Sequence, residues 1–112
     1  MVSINSAEKD VFRALADPTR RAILSLLREG SQPVGSIARE FPISRPAISK
    51  HLRLLRLADL VVETKEGRNH LYELNAGPLK EVDDWLSFYR HMWQHKLRNL
   101  KYFLEDQEKR RK

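Results

Sequence analysis

The sequence predicts a mostly α-helical chain interrupted by one small β-hairpin. Three observations carry that prediction. Apolar residues recur at helical spacing through the first sixty positions, cut into short helices by Asp-Pro, Gly and Ser-x-Pro boundaries. Two β-rich runs, LVVETK and NHLYEL, flank Glu66-Gly67-Arg68. From Pro78 a single unbroken helical pattern runs to about Leu104.

Between Ala7 and Ala16 the apolar positions Val11, Phe12 and Leu15 predict a first helix. Asp17-Pro18 then restarts the chain, because Asp is a good N-cap and Pro at the first helical position loses no hydrogen bond. The second helix, roughly Pro18 to Arg28, should bury Ile23, Leu26 and Leu27 and stop before Gly30. A third, about Val34 to Glu40, offers Ile37 and Phe41 as apolar contacts and is ended by Pro42. Ser44 caps a fourth helix, about 44–57, with Pro46 in its first turn. At about 100° per residue, Ala47, Ile48, Leu52 and Leu55 fall on one side of it, and Pro46, Ser49, Lys50 and Arg53 on the other.

Two short helices joined by a tight turn form a helix-turn-helix, and the hairpin that follows, about 61–74, makes it a winged one. The tip region of that wing carries Lys65, Arg68, Asn69 and His70. On the last helix, about 78–104, Val82, Leu86, Tyr89, Trp93, Leu97, Leu100 and Leu104 form one apolar row. A second row, Trp85, Phe88, Met92 and Phe103, lies beside it. The band is wider than one small domain needs, and a second copy of the chain is its simplest cover. The basic end, KRRK at 109–112, is expected to be frayed and solvated. The 112 residues are read as a single domain, 1–112.

Composition narrows the function. Without cysteine there is no disulfide, thiolate metal site, iron–sulfur cluster or cysteine nucleophile. A net charge of +6 favours an anionic partner, nucleic acid ahead of a membrane surface. MVSINSAEKD holds no apolar run of signal length, and nowhere do 18 apolar residues follow one another. A cytoplasmic protein with no membrane partner is expected.

The outward face of the fourth helix points to one anionic partner. Double-stranded DNA admits a single α-helix into its major groove, where base edges show distinct donor and acceptor patterns. Ser44 and Pro46 set the start of the helix, where base contacts are usually made. Arg53 or Arg45 has the two-point fork that matches guanine, and Ser49 can bond to either base type. Lys50, a point charge, suits a phosphate. Lys65, Arg68 and Asn69 on the hairpin would reach the flanking backbone or minor groove. A solvated basic face is the bland alternative. The neighbouring helix, the turn, the hairpin and the net charge all favour DNA over it.

VFRALADPTRRAILSLL, followed by SIAREFPISRPAISKHLRLLRLADLV and EGRNHLYEL, closely resembles the ArsR-type winged helix-turn-helix repressors from about Val11 to Leu104. Its most specific phrases are DPTR, 17 to 20, and S-x-P-A-I-S-K-H-L, 44 to 52. The resemblance implies a homodimeric transcriptional repressor, dimerised through the first and last helices. Family members usually carry Gly where this chain has Asp59. Metal-sensing members place a cysteine pair before the recognition helix, or Asp and His ligands on the last helix. Here Pro33-Val34-Gly35-Ser36 stands at the first place. At the second, Asp83, Asp84, His91 and His95 do not reproduce the ligand pattern, since Leu86 follows two after Asp84 and Arg98 three after His95. The likeness is therefore to the metal-independent branch, some of whose members are relieved by an effector or partner protein.

Rival readings were weighed against this one. His91 and His95, four apart, could share a zinc ion, but Met92 stands where a zinc protease has its glutamate and no third ligand is evident. No Ser-His-Asp order, carboxylate pair or glycine-rich phosphate loop is present, so neither an enzyme nor a cofactor is expected. A low-specificity architectural DNA-binding protein is the other alternative.

Overall fold

The computed structural model describes residues 9–111 and divides into two units, one ending at Lys80 and one beginning at Glu81. In the first unit α1 (Val11–Leu15) is capped by Asp10, whose carboxylate accepts from the Phe12 N–H at 3.0 Å. The expected helix from Ala7 is this shorter one; Ala7 and Glu8 lie outside the described residues. Asp17 caps α2 (Pro18–Leu27) through the Arg20 N–H at 3.0 Å, with Pro18 at its first position. Its buried face is Ile23, Leu24 and Leu27. Leu24 takes the place expected for Leu26, which is only half-buried.

Then come β1 (Gln32–Pro33), α3 (Val34–Arg39) and α4 (Arg45–Leu57). The wing is β2 (Val61–Glu66) and β3 (Asn69–Leu74). Its turn is two residues long, and Gly67 holds φ at +63°. Arg68 is not at positive φ, the pattern of a type II′ turn, in which glycine is favoured at the first central position. The sheet has three strands in the order β1-β3-β2, with Gln32 opposite Tyr72 and Pro33 opposite Leu71. The expected hairpin thus gains a strand. A two-residue strand containing proline has neither the length nor the alternation that sequence patterns require.

The core of this unit draws on every helix. Ile23, Ile37, Ile48, Leu52, Leu55 and Leu60 are fully buried, and Val11 and Val61 nearly so. At about 1.5–3 kcal/mol for each large aliphatic side chain, this cluster is what holds the short helices together. Helix α4 ends in a Schellman arrangement. The Leu60 N–H donates to the Leu55 carbonyl at 3.0 Å and the Asp59 N–H to the Arg56 carbonyl at 3.0 Å, with Asp59 at φ +60°. Asn75 closes the base of the wing on this turn, donating its backbone N–H to Leu60 at 2.8 Å and its side-chain amide to the Asp59 carbonyl at 2.8 Å.

The second unit lies on one helix, α5 (Leu79–Arg111), about 50 Å long at 1.5 Å per residue. It continues past the expected end at Leu104, and Lys109, Arg110 and Arg111 are helical rather than frayed. Cations in a last turn interact favourably with the negative end of the helix dipole, and Arg110 also pairs with Asp106 at 3.2 Å. Most of the apolar band is exposed: Trp93 keeps 51% of its surface, Leu97 64% and Phe103 58%.

Candidate nucleic-acid interface

Helix α4 has a core side and an open side. Ile48, Leu52 and Leu55 have no exposed surface, whereas Arg45, Pro46, Ser49, Lys50 and Arg53 are exposed. The Ser44 hydroxyl accepts from the Ala47 N–H at 3.3 Å, so its oxygen has a capping role in addition to any contact outward. On the wing Lys65, Arg68 and Asn69 are exposed. Among the described residues, the side chains of Arg45, Ser49, Lys50, Arg53, Lys65 and Arg68 make no hydrogen bond or ion pair.

Other cations are committed internally. Arg20 donates through Nε to the Ala14 carbonyl at 2.7 Å and through a terminal nitrogen to the Arg13 carbonyl at 3.2 Å, satisfying the open end of α1. The same guanidinium lies 3.5 Å from Nδ1 of His51, which is itself 3.8 Å from the Asp17 carboxylate. The Arg20 backbone N–H, opposed by partial burial and helped by His51, holds the Asp17 carboxyl below its ordinary range. This cluster gives the DPTR phrase a physical reason: it closes α1, starts α2 and braces α4 from behind. His51, expected to pack or to grip a phosphate, belongs to that brace.

A second cluster was not anticipated. Arg56, in the last turn of α4, bonds to one oxygen of Glu63 on β2, and Nδ1 of His70 on β3 lies 2.5 Å from the other. The hydrogen bond from His70, together with the Arg56 charge and against partial burial, lowers the Glu63 pKa from its ordinary value. Tyr72, directly across from Glu63, is pushed the other way by burial and by that carboxylate. One sequence signal was available: Glu63 shares the inward row of β2 with Val61, and a half-buried acid needs a cationic partner.

No helix among the described residues is long and apolar enough to cross a membrane. No group of three or more His, Asp or Glu side chains among them is placed to hold a metal ion.

A braced helix with an unpaired basic face beside a basic wing defines a winged helix-turn-helix DNA-binding regulator rather than an enzyme. Residues 17–62 match the bacterial regulatory proteins of the arsR family, and the chain belongs to that family. It is 42% identical to the transcriptional repressor SdpR of Bacillus subtilis over 77 residues, 69% of this chain and 86% of that protein. An HTH-type transcriptional regulator of Mycobacterium tuberculosis, Rv2034, is 47% identical over 64 residues, 57% of this chain and 60% of that one. Among solved structures, an ArsR-like transcriptional regulator from Rhodococcus superposes with a TM-score of 0.64 at 36% identity, covering 87% of this chain and 92% of the other.

Proposed function

We propose that this chain is a cytoplasmic repressor that binds an inverted-repeat operator as a homodimer and takes no metal signal. The observation that carries the proposal is the unpaired basic face of α4. Desolvating an ammonium or guanidinium is compensated by an opposite charge, and here that charge is supplied by DNA. Arg45 or Arg53 reads guanine in the major groove, Ser49 bonds to a base edge, and Lys50 grips phosphate. Ser44 and Pro46 set the entry of the helix. Lys65, Arg68 and Asn69 follow the backbone on the flank.

The exposed rows of α5, with Val82, Leu86, Tyr89, Trp93, Leu97, Leu100 and Leu104 as the main one, are proposed to meet a second copy. Two recognition helices would then enter successive major grooves about 34–36 Å apart, and occupancy near a promoter would exclude polymerase. The transcriptional repressor SdpR supports this direction of control. Metal independence rests on the absent cysteines and on His91 and His95 lacking a third ligand.

Trp93→Glu tests the dimer. A charge buried in that seam costs several kcal/mol, so the variant should sediment as a monomer or aggregate. It should also lose far more affinity for a full palindrome than for a half-site. A wild-type monomer at micromolar concentration that still binds the full palindrome tightly would refute the dimeric reading. A diffuse footprint in place of a bounded palindrome would refute the repressor reading in favour of an architectural one.

A further inference from the structure

The base of the wing is anchored by the buried Leu60 and Val61, whereas everything from Lys65 to His70 is exposed. Apolar packing therefore leaves the direction of the outer hairpin free relative to α4. What crosses that gap is Glu63. Its two oxygens take partners from two different elements, Arg56 from α4 and His70 from β3, and its side chain retains 19% exposure against 47% and 48% for theirs. A carboxylate holding one partner on each oxygen defines a direction as well as a distance. The charged and titratable groups on this face are Arg56, Glu63, Lys65, His70 and Tyr72, with Lys65 directly opposite His70 in the strand register.

The placement is unusual for an acid. On a helix-and-wing surface that meets phosphates, an unoccupied carboxylate would repel the ligand. It would also weaken binding to every duplex alike. We infer that Glu63 is a positioning residue for DNA binding: it clamps the wing to the last turn of the recognition helix through Arg56 and His70, so that the two basic elements meet DNA at a set spacing. The inference rests on the DNA-binding reading above. Arg56 accordingly acts through Glu63 and not on phosphate, although it lies on the exposed side of α4.

The experiment uses a duplex selected from a randomised library by the wild-type chain, and a shuffled duplex of the same composition. Glu63→Gln keeps the size and one acceptor oxygen but removes the charge. A bystander acid, once neutralised, would let both duplexes bind more tightly and leave their ratio unchanged. A clamp predicts that the ratio falls about five- to tenfold, mostly through the selected duplex. Arg56→Gln should lower the ratio similarly and add little in the Glu63→Gln background, while Arg56→Lys, which keeps a cation on Glu63, should restore most of it. Without DNA, amides of residues 64–70 should exchange faster in Glu63→Gln, with those of Ile48, Leu52 and Leu55 unchanged. Additive losses for Arg56→Gln and Glu63→Gln, or an unchanged ratio in either variant, would overturn the clamp while leaving DNA binding intact. A wild-type chain that enriches no duplex would overturn the DNA-binding reading itself and the clamp's role with it.

Discussion

Replacing Arg53 and Lys50 separately by alanine asks whether α4 reads bases or only holds phosphate. Both side chains are exposed, and among the described residues neither makes an internal hydrogen bond or ion pair. Their removal should change stability by less than about 0.5 kcal/mol, a melting shift below about 4 °C for a domain of this size. Changes in binding then report the DNA contact alone. If Arg53 forks onto a base, its loss should cost about 1–3 kcal/mol per half-site and relax preference at one base pair. Binding to shuffled DNA should change far less. Lys50 on a phosphate contributes about 0.9 to the slope of log affinity against log salt, so a dimer carrying two should lose about 1.8 from that slope. Its loss should weaken selected and shuffled duplexes equally. Fluorescence anisotropy across a salt series, on a selected duplex and on variants changed at single positions, separates the two behaviours. Equal losses on all duplexes for both variants would refute base reading by Arg53.

Further outcomes follow from particular contacts. Titration of zinc, nickel or cobalt, then a chelator, into a protein–DNA complex should leave affinity unchanged; a tenfold shift abolished in His91→Ala/His95→Ala would restore the sensor alternative. The folded-state pKa values of Asp17 and Glu63 both lie below their ordinary values of 3.8 and 4.5, so as acid is added the unfolded chain takes up these protons first. The stability they contribute is complete above those values and drains away as pH falls through the folded ones; Glu63→Gln should flatten its share of a melting-temperature profile recorded below about pH 5. Asp59→Gly should raise the melting temperature by about 2–5 °C, because the position sits at φ +60°, where a side chain is strained and both bonds of the turn use only backbone; an unchanged or lower value would contradict that reading.

Much of this fold was legible because it is local. The apolar face of α4 repeats within one helix, Asp17 and Ser44 reach backbone N–H groups three residues on, and the wing turn is set by one glycine at positive φ. The end of α5 was less so: residues 105–111 are polar throughout, and an apolar pattern stops marking a helix where the apolar residues stop, although their charges suit a helical terminus. The pairing of β1 with β3 spans about forty residues of chain and leaves almost no trace in a two-residue strand.

The interface divides along the same line. Its exposed cations could be read from helical periodicity, but periodicity does not tell a free arginine from a committed one. Arg53 and Arg56 stand three apart on α4, both exposed and both basic. What separates their roles is an acid seven residues beyond Arg56 that the wing folds back onto the helix. Arg20 likewise looks like surface charge until the carbonyls of α1 come within reach of its guanidinium. A net charge of +6 therefore overstates what the protein can offer a nucleic acid at any one place. The share presented to DNA is decided by tertiary contacts that fix which cations already have a partner.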